Sequence, residues 1–235
     1  MSDARFIRYR FDLPDGSTKT LEFAFDSIDF KMQMVPLADP PFWTELGFSR
    51  CANCPLDPAQ NPHCPAAVRM APAMEPLKAL VSFDTVGVTV IQAERTMFAQ
   101  TTAQQAMSSV LGLIMATSGC PWTGHLRPMA RFHLPFASEA ETIYRSICMY
   151  LLAREIVDEN APPGFSALEE LYRNLHVVNR DMSRRLGAAT RTDPARNAIA
   201  LLDTFTTLLP AAIERSLDEL EPLFDAWKFQ RIPAI

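Results

Sequence analysis

Two short stretches near the start of the chain alternate strictly between inward and outward positions. Ile7, Tyr9, Phe11 and Leu13 are separated by Arg8, Arg10 and Asp12, and Leu21, Phe23 and Phe25 by Glu22 and Ala24. A period of two sends successive side chains to opposite faces of a strand. With "PDG" at 14–16 between them, the stretches predict a β-hairpin with one apolar face. From Pro36 to Pro76 the pattern dissolves into proline-rich chain, and irregular structure is expected there. Alternation returns in "VGVTVIQAERTMFAQ" (86–100), which reads as one bent strand or a second hairpin.

The spacing of apolar residues then changes to three and four. "TTAQQAMSSVLGLIMATSG" predicts a helix over 102–118, with Thr102 as N-cap, Gln105 three residues on, and Gly119 at the C-terminal cap position. Ser138 and Glu141 form a capping box before a helix over 139–157. Ser166 and Glu169 form another before a helix whose apolar face is Leu168, Leu171, Tyr172, Leu175, Val178, Met182 and Leu186. Asp193-Pro194 predicts the start of a last helix carrying Ile199, Leu202, Phe205 and Leu209, kinked or broken at Pro210. The expected fold is α+β: a small antiparallel sheet, made of the N-terminal hairpin plus strands near 84–99, packed with a mainly helical C-terminal half. One domain over 1–235 is expected, β-rich in 1–100 with a cysteine loop at 51–65, and helical in 101–235.

Composition narrows the function classes. The 235 residues are 48% hydrophobic, enough for a sizeable core, and 22 basic against 27 acidic residues leave a net charge of −5. Such a balance argues against a nucleic-acid partner. No apolar run approaches a membrane span, and "MSDARFIRYRF" lacks the apolar core of a secretory signal, so a cytoplasmic setting is expected. There thiols stay reduced, and clustered cysteines more often bind metal or do redox chemistry than form a disulfide framework.

Three of the five cysteines fall in "CANCPLDPAQNPHCP" (51–65). Cys51 and Cys54 have the C-x2-C spacing that lets one turn present two thiolates to one ion, and Cys64 follows. Cys120, just past a helix end, is the natural fourth ligand. Cys148 sits inside the helix 139–157 and is assigned to packing. A redox pair of the thioredoxin kind would need Cys51 and Cys54 at a helix N-terminus, which the prolines disfavour, and incidental core cysteines are the third reading. Proline follows Cys54, Cys64 and Cys120, as it follows the last cysteine of the bacterial ferredoxin run. The favoured expectation is therefore a metal site of Cys51, Cys54, Cys64 and Cys120, holding an iron–sulfur cluster (4Fe-4S) or, nearly as well supported, Zn2+.

"HLRPMARFHLPF" at 125–136 gathers His125, Arg127, Arg131 and His133 in an otherwise acidic chain. Arg127, Arg131 and His133 are expected to surround the metal or to bind an anionic cofactor or substrate. The alternative pairs the two arginines with acidic helices. His63, His125 and His133 are possible substitute ligands. No phosphate-cradling glycine loop, no G-x-S-x-G and no H-E-x-x-H occurs.

The blocks "CANCPL…HCPAA", "LIMATSGCP" and "LRPMARFHLPFAS" resemble those of a bacterial family of unknown function, and the likeness runs through most of the chain. The resemblance implies a cytoplasmic protein whose cysteines and Arg-His block belong to one site, and brings no activity with it. The expected function is redox sensing, electron transfer or interaction through the metal site, with a protein redox partner or a second copy of the chain as partner. The alternative is a metal-assisted enzyme acting on a small anionic substrate.

Overall fold

The computed structural model describes residues 5–33, 35–157, 164–189, 195–204, 206–207 and 220–225. The fold is α+β. β1 (Arg5–Asp12) and β2 (Thr18–Phe25) pair antiparallel from Arg5 opposite Phe25 to Asp12 opposite Thr18. Their turn is closed by the Leu13 N–H on the Ser17 carbonyl at 2.8 Å, with Gly16 at φ 81°, where a residue without Cβ meets no clash. β3 (Met32–Gln33) extends one edge. β4 (Thr85–Ile91) and β5 (Thr96–Thr102) make the stretch 86–100 a second hairpin. The sheet runs β3-β2-β1-β4-β5, and every pair is antiparallel.

The period of two becomes burial. Ile7, Tyr9, Phe11, Phe25, Val88 and Val90 face the core, while Arg8 bonds Glu22 across the outer face at 2.8 Å. α1 (Pro65–Met74) lies within the stretch expected to be irregular. Pro65 fills the first helical position, where a missing N–H costs nothing, and Ala66, Ala67, Met70 and Ala73 bury one face. The proline that suggested disorder of pattern here begins a helix.

α2 (Ala103–Thr117) starts at Thr102, whose hydroxyl accepts the Gln105 N–H at 3.4 Å, and is followed by Gly119 at φ 91°. It packs in one apolar cluster with the sheet, α1 and the far half of α5. α3 (Arg127–Arg131) is short. α4 (Glu139–Val157) opens with its capping box: the Ser138 hydroxyl accepts the Glu141 N–H, and the Glu141 carboxylate accepts the Ser138 N–H at 2.7 Å. α5 (Ser166–Ala189) begins at Ser166 itself, and the Glu169 N–H goes to the Phe165 carbonyl, so the second box does not form. Ile143 and Ile147 of α4 meet Leu168, Tyr172 and Leu175 of α5 in a second cluster.

Cys148 corrects an expectation: it is exposed, not packed. It shares the outer side of α4 with Tyr144, Leu151 and Leu152, all exposed, about a quarter-turn round from the buried Ile147. Residues 195–204 are helical; the expected start at Asp193-Pro194 and the break at Pro210 lie outside the described residues. No described helix is long and apolar enough to cross a membrane.

Candidate functional site

The cysteine loop is held by polar contacts to α5. Arg185 is 1% exposed, and its Nη1 donates to the carbonyls of Trp43 at 2.7 Å and Glu45 at 2.6 Å, while Nη2 reaches Leu46 at 3.3 Å. The buried Asp181 carboxylate accepts the Ala52 N–H at 2.8 Å, and Arg180 and Arg184 balance its charge at 3.1 and 3.3 Å. Asn53 donates to the Asn174 carbonyl at 3.1 Å and accepts from the Trp122 indole at 2.8 Å through its own carbonyl. Arg50 closes the loop on the Cys54 and Leu56 carbonyls. These bonds do the work that the irregular loop suggested for a metal.

Cys51, Cys54, Cys64 and Cys120 border one small apolar cavity together with Leu46, Trp122 and Met182. The expected metal centre is nevertheless corrected. Among the described residues, which include all five cysteines, no group of three or more His, Cys, Asp and Glu side chains is disposed to hold a metal ion. The cavity they border is about 20 Å³, room for about one water. The four cysteines behave as small hydrophobes packed on the main core. Burial, with the neighbouring thiols of Cys64 and Cys120, pushes Cys51 up to about 12, and burial raises Cys64 as well. With the metal centre go the functions built on it: redox sensing, electron transfer or interaction through a metal, and metal-assisted catalysis on an anion.

The basic block does not converge on one point. Arg127 reaches back to the Asp29 carbonyl at 3.5 Å, and its Nε is buried without a hydrogen-bond partner among the described residues. Arg131 lies over the rings of Phe30 and Phe132 and pairs with Glu94 at 3.8 Å, on the β4–β5 hairpin rather than on an acidic helix. His125 is exposed, and His63 bonds the Thr44 hydroxyl at 2.9 Å. His133 alone of the block turns inward. Its Nε2 meets the Tyr9 hydroxyl, which also bonds Ser109 Oγ at 2.7 Å. Its backbone carbonyl accepts from Gln92 at 3.0 Å. Burial and then the Arg145 charge hold the ring down to about 3, so it is neutral at physiological pH. Burial raises the Tyr9 hydroxyl well above its ordinary value, with Ser109 opposing.

His133 and Ser109 open onto a cavity of about 540 Å³ walled by α2, α3, α4, α5 and residues 201–206. The small residues of α2 make the space. Ser109, Gly112 and Ala116 follow one another on one face of α2 and line the space, and a Cβ at Gly112 would meet Leu202 at 3.5 Å. Phe136, at φ 61°, borders it, a conformation an aromatic residue holds only at a cost of about 1 kcal/mol or more. Among the polar side chains on the wall, Tyr172 bonds Ser146 at 2.6 Å and Thr142 bonds the Ser138 carbonyl. Asn179 is 4% exposed and its amide makes no hydrogen bond among the described residues. Arg145 uses only Nη2, on the carbonyls of Met129 at 2.8 Å and Phe132 at 2.9 Å. No carboxylate lies within ion-pair distance of it among the described residues. Ser109, Arg145 and Asn179 carry no mark in the sequence reading, and Tyr9 is marked there only as an inward-facing strand residue. The one signal for them was small or polar residues at core-facing positions of strongly patterned elements.

Comparison with curated proteins and with solved structures finds no match for this chain. A family model matches residues 7–225, nearly the whole length, and the chain belongs to that family, the domain of unknown function DUF6901.

Proposed function

We propose that this protein binds a small, predominantly apolar molecule in the cavity between α2 and the α4–α5 pair. One observation carries the reading: about 540 Å³ of space in an apolar wall with a few uncommitted polar groups. Small-molecule sites have this size and this mixture, since apolar surface supplies affinity and a few fixed polar groups supply orientation. The Ser109–Tyr9–His133 chain gives the wall a fixed hydrogen-bonding point, because each of its members is held by the next. We assign the protein to the cytoplasm, where five free thiols stay reduced.

The test uses a neutral, environment-sensitive dye such as Nile red and the variant Ala116→Phe. Ala116 is 4% exposed and lines the cavity, so phenylalanine fills the space without removing a polar group. Saturable dye binding is expected in the parent, weakened at least ~10-fold in the variant, the loss of about 1.4 kcal/mol. Equal binding by both, or none by the parent, removes the reading.

A further inference from the structure

Resting on that reading, the charges of the cavity wall say what sort of molecule fits. Arg145 is the one ionic side chain on the described wall, because the His133 ring is neutral and every other lining residue is uncharged. Two of its five N–H donors are spent: Nη2 holds two backbone carbonyls, and Nη1 and Nε make no hydrogen bond among the described residues. Its near acid, Glu141, is exposed and committed to the Ser138 N–H, outside ion-pair range of the guanidinium. A second group is also left open. Asn179 is more than nine-tenths buried, lines the same cavity, and leaves both donor and acceptor without a hydrogen bond among the described residues.

A cation beside apolar space, with its nearest acid Glu141 acting only from beyond ion-pair distance, favours a ligand that brings the opposite charge to it. The charge to be matched is single. A phosphate carries nearly two charges at neutral pH and would call for a second cation, which the described wall lacks. We infer that the ligand is an apolar carboxylic acid, bound as its carboxylate, with Arg145 as counter-ion and Asn179 as the second polar contact. The apolar body then lies along Leu113, Ala116 and Leu175, and the acid group meets the guanidinium. No bond is made or broken; the interaction is recognition.

The experiment compares two acids with their neutral twins: decanoic acid with decan-1-ol, and 2-naphthoic acid with 2-naphthylmethanol. Each is titrated calorimetrically into the full chain and into Arg145→Gln. At least one acid is expected to bind ~10-fold or more tighter than its alcohol, the range of one charge-assisted hydrogen bond. The preference should vanish in Arg145→Gln, the acid losing ~10-fold or more and the alcohol far less, and a cooperative urea unfolding transition shows that the variant is folded. If that variant does not fold, the comparison in the parent protein decides alone. Equal affinity for acid and alcohol overturns the carboxylate inference and leaves the apolar cavity standing. An acid preference that persists in Arg145→Gln overturns the role of Arg145. Failure of all four compounds, together with failure of Nile red, removes the binding reading itself.

Discussion

His133 has to stay neutral to stay where it is. The ring is 9% exposed, bonded to Tyr9, and shares its surroundings with the Arg145 charge. In the unfolded chain an imidazole titrates near 6.5, and in the folded chain it is held down to about 3. Between those values the unfolded state carries one more proton, so stability falls as pH falls. The slope is about 1.4 kcal/mol per pH unit while that proton is the difference, and above the unfolded value this residue contributes no slope. Urea unfolding at about pH 7 and about pH 5 should therefore show a larger loss in the parent than in His133→Gln. Equal losses in the two would mean that the ring is not buried as a neutral group. The same neutrality makes the cavity wall singly rather than doubly positive, which is what lets one carboxylate match it.

At the scale of elements, Arg185 joins α5 to the turn at 42–46. Its three carbonyl acceptors are buried or half-buried and have no obvious replacement donor. Arg185→Met keeps much of the volume, loses every bond, and should cost roughly 3 kcal/mol or more, because hydrogen bonds to a charged group are the stronger kind and their orphaned partners stay desolvated. Chemical denaturation measures this, and a cost below about 1 kcal/mol would show that water replaces the guanidinium. This contact also explains what the sequence made legible. The hairpins, α2 with Thr102 and Gly119, and the box at Ser138 and Glu141 depend on neighbours a few residues apart, so their signals are local. Arg185 and the turn at 43–46 are some 140 residues apart, and an arginine on a helix reads as solvated until the fold is known. α1 was hidden for a different reason: proline breaks a helix within it but starts one well, and nothing local in "HCPAA" distinguishes the two. The cysteines were legible as a group, and Cys120 does lie with Cys51, Cys54 and Cys64. Their spacing carried no information about the hydrophobic packing that surrounds them, so proximity was read as ligation. The cavity itself was not legible, since a void comes from what facing helices lack.

For the whole molecule, α5 is the connector. One end packs with α4, its middle lines the cavity through Tyr172, Leu175 and Asn179, and its other end holds the cysteine loop through Asp181 and Arg185. The loop's exposure to solvent should then be governed by a residue far from it in sequence. Asp181 is 1% exposed and accepts the Ala52 N–H, next to Cys51. Asp181→Ala removes that acceptor and leaves the N–H of Ala52 without its partner. Modification by iodoacetamide under native conditions reports the outcome. In the parent, exposed Cys148 should react first, and Cys51 slowly, because its thiol is partly buried and pushed up to about 12. A thiol that reacts only when its loop opens reports the free energy of that opening. Losing one bond to a charged acceptor, worth about 1.5–3 kcal/mol, should raise the Cys51 rate ~10-fold or more and leave Cys148 unchanged. If the Cys51 rate does not move, the loop is held by its packing against Leu46, Trp122 and Met182 rather than by α5's charge. If Cys148 accelerates equally, the variant has loosened the whole chain, and the connection through Asp181 is not local.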